Sequence, residues 1–421
     1  GGPGGIDGPM LTLIPSDMAL SAGSYGKPDQ PFEERFANPP AECRILRILH
    51  GFGGQDQNAQ RSNLRQLQSL EFGGMVTNYP FSDKYLQDDA EWQRFREGVT
   101  MAKDSGMALW LYDEKGYPSG AAGSLTLQGH PEWEARGLLV ADSVSDGGAI
   151  SLEVPPGTIH SAAAYPVTAT GLDLKQPRDL SASIRDGKLT AELPAGKWHV
   201  MVFCEGPLYE NTHAALSLAQ KYHYINLLMP EPTQRFIELT YGGYAKTLGP
   251  DLGKYFEATF TDEPSLMSSF MRPSNWRPLP WAPQLPAEFQ KRRGYALEPV
   301  LPALIADAGS AGQRARCDFW QTIGELVSEN FFGQIQEACR KLKVPSGGHL
   351  LIEESLLSHV CYYGDFFRCI RRLDAPSIDC LTSIPAEVPW FVARLLSSAA
   401  ELREVGPTMC ETSDHSQRYR P

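Results

Sequence analysis

The chain has 421 residues, a formal charge of −12 and a pI near 5.3. Its length fits two or three modules or one barrel with insertions, and an acidic chain without a Lys/Arg run suits neither nucleic acid nor an anionic membrane. No apolar run approaches the roughly 18 residues needed to cross a bilayer, and residues 1–8 lack the basic-then-apolar pattern of a secretion signal.

In chain order, strand-like runs fall at 44–52, 74–79, 108–112, 256–261, 349–352, 377–381 and 408–410. Helical patterns, with apolar residues three or four apart, lie between most of them at 91–105, 232–248, 315–342 and 389–405. Gly106 stands where glycine is expected just past a helix end. This βα cadence predicts an α/β fold with a parallel sheet covered by helices. Between about Trp133 and Gly206 the texture changes to short alternating runs, separated by turns at Gly157, Gly187 and Gly196. A loop that long without its own structure is uncommon, so this stretch reads as an inserted β-sandwich-like module.

The expected division is a first barrel part over 1–132, the β-rich module over 133–222 and a second catalytic barrel part over 223–421. Seven core strands are one short of a closed (β/α)₈ TIM-type barrel. The sequence therefore reads as stopping before the last strand, or as holding an unrecognised one between Met10 and Leu20. Eight cysteines include no C-x-x-C pair and no Cys/His cluster, which rules against a zinc finger. Cys204, Cys380 and Cys410 lie in apolar runs and read as small buried hydrophobes; reduced thiols are favoured and disulfides stay open.

Four strand ends carry acids: Asp113-Glu114, Asp262-Glu263, Glu353-Glu354 and Glu411. The second is the most telling, because a β-rich run meets two carboxylates and then Pro264, which cannot donate to a sheet ladder. In α/β folds such C-terminal strand ends carry the chemistry. Converging carboxylates suit glycosidic cleavage, with one protonated acid at the leaving oxygen and one ionised carboxylate on the other face of the ring. Burial and mutual repulsion would part their pKa values. The same cluster could instead hold a hard cation such as calcium, or be solvated loop acids. Aromatic residues crowd the same loops, where sugar rings could stack: Tyr112, Tyr117, Tyr362, Tyr363, and Trp276 and Trp281 in a Pro-rich loop. Trp110, inside a strand, reads as core.

The runs at 112–120 (Tyr-Asp-Glu-Lys-Gly-Tyr-Pro-Ser-Gly), 261–265 (Thr-Asp-Glu-Pro-Ser), 348–354 (Gly-His-Leu-Leu-Ile-Glu-Glu) and 362–367 (Tyr-Tyr-Gly-Asp-Phe-Phe) resemble bacterial glycoside hydrolase family 106. That family contains α-L-rhamnosidases, and the likeness keeps the motif order and the place of the β-rich insertion. The resemblance implies a (β/α)₈ barrel with accessory β domains, calcium-assisted inverting hydrolysis of a glycoside or oligosaccharide, and two catalytic glutamates. Glu263 matches the general acid. For the base, Glu411, 148 residues further on, is preferred to Glu354. Asp113, Glu114, Tyr117, Asp262, His349, Glu354, Tyr363, Asp414 and His415 are the substrate-binding candidates, Ca²⁺ is the one cofactor suggested, and its ligands are left unassigned. A periplasmic or secreted location is expected by resemblance; oligomeric state is open. Two rivals stand: a catalytically silent carbohydrate-binding scaffold, and a metal-dependent hydrolase or lyase. The second ranks lower, for want of histidines at metal spacing or an H-E-x-x-H motif.

Overall fold

The computed structural model describes residues 30–209, 224–267, 275–380 and 389–412. A short helix α1 (Phe32–Ala37) leads into βα units: β1 (Leu46–Ile48), α2 (Gln57–Ser69), β2 (Gly74–Thr77), α3 (Asp89–Asp104) and β3 (Ala108–Tyr112). Asp56 and Asp88 cap α2 and α3, each accepting two N–H groups of the first turn that would otherwise lack partners. Gly106 follows α3 with φ +76°, the left-handed conformation that glycine adopts without strain.

The β-rich stretch follows as β4 (Arg136–Ser145), β5 (Gly148–Glu153), β6 (Thr158–Thr168), β7 (Gly171–Leu172), β8 (Arg178–Asp179), β9 (Ile184–Arg185), β10 (Lys188–Leu193) and β11 (Trp198–Pro207). The chain returns through α4 (Pro230–Leu248) and β12 (Ala258–Phe260), then adds β13 (Arg277–Trp281), α5 (Leu285–Arg293), α6 (Leu301–Ile305) and α7 (Gly309–Val327). A π turn over Ser328–Gly333 joins α7 to α8 (Gln334–Lys341), so the helix expected at 315–342 is divided. Last come β14 (Gly347–Gly348), α9 (Leu356–Tyr363), α10 (Phe366–Ile370), β15 (Ala375–Cys380), α11 (Phe391–Glu401) and β16 (Met409–Thr412).

β1, β2, β3 and β12 form a parallel sheet in that order, and β14, β15 and β16 form another. A parallel bridge between Thr261 and Gly348 joins the two. β2, β3 and β12 are buried on both faces, as the inner strands of a parallel sheet under helices must be, while β1 and β16 at the ends of the path each expose one face. Leu109 and Leu111 of β3 face the large core shared with the helices, while Trp110 and Tyr112 pack with Val76, Ala258, Phe260 and Ala375 on the other side. The strand expected at 349–352 sits two residues earlier. Gly347 and Gly348 come so close to β12 that a Cβ on either would lie 2.3 Å from Thr259 O or 2.1 Å from Thr261 O. Among the described residues the seven parallel strands form an open path. β1 and β16 flank a cavity of about 820 Å³. The alternative strand between Met10 and Leu20 lies outside the described residues.

In the β-rich stretch, a sheet of order β5-β10-β9 packs on one of order β13-β4-β11-β6-β7 around Ala162, Ala164, Leu189, Val200 and Val202. β13 joins β4 antiparallel, so the expected Pro-rich loop is an edge strand and Trp281 is buried, not displayed for a ligand. Trp276 packs against the core, half-buried. Cys204 and Cys380 are buried as expected, but Cys410 is exposed, because its place on β16 leaves that face uncovered by described residues. No described helix is long and apolar enough to cross a membrane.

Candidate active site

The ladder between β12 and β14 builds the centre. Thr261 N donates to Gly347 O at 2.9 Å and His349 N to Thr261 O at 3.0 Å, which sets His349 beside Asp262 just past the strand ends. His349 is 1% exposed. Its Nε2 lies 3.1 Å from Glu411 Oε2 and 3.4 Å from Asp262 Oδ1, and its Nδ1 lies 3.2 Å from Leu350 O and 3.9 Å from Glu353 Oε1. Both ring nitrogens face only acceptors, so both carry protons and the ring is an imidazolium. Burial alone would lower its pKa, but Glu411, Asp262 and Glu353 outweigh that and raise it well above the ordinary histidine value.

Five carboxylates surround this one cation: Asp262, Glu263, Glu353, Asp379 and Glu411. The register of β15 and β16 pairs Asp379 with Glu411 and turns both toward His349. Donor atoms of Asp262, Glu263 and His349 lie within 4.8 Å of one another, as do those of His349, Asp379 and Glu411. Burial pushes Asp262 up to about 6 and Asp379 to about 7; in each, Glu411 adds to the rise and His349 opposes it. Burial, reinforced by Asp262, Asp379 and Glu353, lifts Glu263 well above the ordinary carboxylate range. Glu353 is lifted likewise by burial, and its Oε1 accepts from Asp379 N at 3.1 Å. Glu263 opens partly to solvent and holds φ +44°, a strained backbone for a residue with a side chain.

Asp113 and Glu114, expected to bind substrate, are 0% and 1% exposed and serve the scaffold. Asp113 accepts from the hydroxyls of Ser119 (2.5 Å), Thr261 (2.6 Å) and Tyr241 (2.7 Å). Glu114 accepts four backbone N–H groups, from Lys115 and Gly123 on Oε1 and from Gly120 and Ala122 on Oε2. That cradle shapes the loop carrying Ser119, whose hydroxyl accepts Asp262 N at 2.8 Å. Tyr363 is also buried, its hydroxyl accepting Leu351 N, so it fixes the approach to Glu353 instead of facing a ligand. Glu354 and Tyr117 are half-buried, and Tyr117 packs on the core. Asp414 and His415 lie outside the described residues.

Sequence reasoning overlooked two members. Asp379 lay inside an expected strand, where an acid among apolar residues was the available signal. Tyr112, read as a stacking platform, donates to Asp262 Oδ2 at 2.6 Å, and its ring meets that of His50 edge-on at 4.6 Å.

Acids gathered around a buried imidazolium at the ends of parallel strands form an arrangement suited to general acid–base chemistry. The glycoside hydrolase family 106 model, described as alpha-L-rhamnosidase, matches residues 159–382, more than half of the chain. The chain belongs to that family. It resembles a rhamnosidase structure from Novosphingobium sp. PP1Y with a TM-score of 0.59 and 14% identity, over 91% of this chain and 53% of that one. A protein of Formosa agariphila called a putative beta-glucuronidase is 24% identical over 168 residues, 39% of this chain and 13% of its own length. The chain thus spans about half of the solved relative and a small part of the other.

Proposed function

We propose that the chain carries the acid–base centre of a glycosidase that releases a terminal sugar of α-L-rhamnoside type. The observation that carries the reading is the place of Glu263, a carboxyl within 4.8 Å of Asp262 and His349, beside the cluster that holds Glu411. Glu263, kept above the ordinary carboxylate range, retains the proton that the departing glycosidic oxygen needs. Glu411, oriented by His349, activates the water that attacks from the opposite face, with inversion. Asp262 and Glu354 position hydroxyls at the rim, His349 stays buried beneath them, and Asp113, Glu114 and Tyr363 hold the loops that carry them.

One imidazolium does not balance the carboxylates around it, and their oxygens suit a hard cation such as Ca²⁺, which Asp379 and Glu411, whose donor atoms lie together, would help to hold. His349, with both nitrogens engaged by acceptors, is not one of its ligands. The ion would supply positive charge for binding sugar hydroxyls. The strand order supports reading the sheets as seven of the eight strands of a (β/α)₈ TIM-type barrel, divided at 1–132, 133–222 and 223–421 around a β-sandwich-like module. A periplasmic or secreted enzyme of polysaccharide breakdown suits this reading.

The test is hydrolysis of aryl α-L-rhamnosides, with aryl β-glucuronides as a second series because one relative carries that name. Glu263→Gln is expected to lower kcat/KM by about 10²–10⁴-fold for poor leaving groups, with a much smaller loss for good ones. Equal activity of Glu263→Gln on poor leaving groups would remove Glu263 as the acid. Binding of rhamnosides without turnover by the wild type would favour the silent scaffold.

A further inference from the structure

At the opposite end of β14–β16 from the acid cluster, five arginines line a cavity of about 410 Å³: Arg340, Arg368, Arg371, Arg372 and Arg403. They come from separate segments, at the end of α8, on and just after α10, and after α11. All of these precede the N-terminal ends of the strands, so the cavity is no part of the candidate active site. On a chain of net charge −12, such a concentration of guanidiniums is not a reflection of composition.

Among the described residues, Asp374 and Asp365 oppose them, and neither has capacity to spare for all five. Asp374 is already shared: Gln336 donates to its Oδ1 at 2.9 Å, Arg340 at 3.2 Å and Arg403 at 3.4 Å, and Ser346 donates to its Oδ2 at 3.3 Å. Asp365 lies 3.5 Å from Arg368 Nε, and one of its oxygens also caps α10. Arg372 spends its Nε on Ser328 Oγ at 3.1 Å, at the start of the π turn, and its terminal nitrogens make no hydrogen bond among the described residues. The Arg371 guanidinium likewise has no hydrogen bond or ion pair among them. Burial lowers the pKa of Arg403, and Arg340 and Arg371 push the same way against Asp374, as expected where cations outnumber their partners.

We infer that this cavity binds a compact multivalent oxyanion, a sulfate or phosphate group, free or carried on a saccharide. Planar guanidinium forks match tetrahedral oxyanions with paired hydrogen bonds, and several converging forks give the site its selectivity over chloride. The inference is independent of the proposed hydrolysis and stands or falls by binding alone.

The experiment is calorimetric titration of the chain with pyrophosphate, inorganic sulfate and a sulfated disaccharide, at ionic strength held constant with chloride. Saturable binding is expected, weakened at least tenfold in Arg371→Gln and in Arg372→Gln. Arg314→Gln removes the same charge from an exposed position on α7 and is expected to bind as the wild type does. A disaccharide tenfold tighter than sulfate assigns the site to a saccharide-borne group; equal affinity assigns it to the free ion. A second readout needs no variant: pyrophosphate should protect Arg371 and Arg372 from phenylglyoxal and leave Arg314 reactive. Absence of saturable binding by all three probes, equal weakening by Arg314→Gln, or unprotected Arg371 would overturn the inference.

Discussion

Replacing Glu114 by glutamine keeps the size of the side chain and exchanges one oxygen for an amide nitrogen. Each oxygen of Glu114 accepts two backbone N–H groups, Lys115 and Gly123 on one and Gly120 and Ala122 on the other, at 2.7–3.1 Å. Whichever way the amide sits, its NH₂ faces two donors that cannot turn away, since both belong to the main chain. Two hydrogen bonds to a charged group are lost, and two N–H groups are left without an acceptor. At about 1.5–3 kcal/mol for each bond, the loss is about 3–6 kcal/mol, a large part of the roughly 5–15 kcal/mol that holds a typical domain folded. Because the same loop supplies Ser119 to Asp262 N, kcat/KM should fall with stability. The assay is urea unfolding of wild type and Glu114→Gln at pH 8, above the value of about 7 to which burial pushes Glu114, so that the carboxylate is ionised. Midpoints that differ by less than about 1 kcal/mol, once multiplied by the slope, would refute the cradle as the loop's main support.

Asp113→Asn should be milder, about 1 kcal/mol, because its three partners are hydroxyls that can turn from donor to acceptor. It also carries a pH signature. Burial raises Asp113 from 3.8 to about 6 against those three hydroxyls, so the folded chain binds this proton more tightly than the unfolded one. Wild-type stability therefore falls as pH rises from about 4 through 6, and denaturation of Asp113→Asn should lack that part of the slope; parallel profiles would reject the assignment. His349→Ala leaves Asp262, Glu353 and Glu411 without their shared cation and should cost about 3–5 kcal/mol in thermal or chemical unfolding, whereas a neutral effect would mean that the imidazolium does not hold the cluster. Gly348→Ala would place a methyl 2.1 Å from Thr261 O at φ +128°, and a loss of about 2–4 kcal/mol is expected. A wild-type melting temperature for that variant would show that the β12–β14 contact is not as close as described.

The parts of the fold visible in the sequence are those where side chains dictate the backbone. The alternation of βα units and the glycine after α3 could be read from propensity and periodicity, as could the acids that end β12. β14 could not, because Gly347 and Gly348 have no β propensity. Their place is set by hydrogen bonds with β12 and the residue after it, Gly347 N donating to Thr259 Oγ1 and Thr261 N to Gly347 O, so the sequence pattern pointed two residues too late. β13 hid for another reason. Pro278 and Pro280 argue against a strand, yet β13 is the edge of its sheet, where a missing N–H need not break a ladder.

The acid cluster shows the same division at the level of chemistry. Asp262, Glu263, Glu353 and Glu411 could each be found alone as an acid at a strand end, and Asp379 could not, but the upward shift of the Glu263 carboxyl belongs to the group. It comes first from burial and then from the charges of Asp262, Asp379 and Glu353, weighed against one imidazolium. One of the contributing positions is fixed by register: Asp379 lies opposite Glu411, on strands whose alternate residues are Ile378 and Cys410. A slip of one residue in that pairing would turn one acid outward and bring an apolar side chain to His349. The cluster would lose a charge, and with it part of the repulsion that adds to burial in raising Glu263. The register of β15 on β16 is therefore as much a determinant of the chemistry as the identity of Glu263, and it is a property of backbone pairing that no single position in the sequence displays.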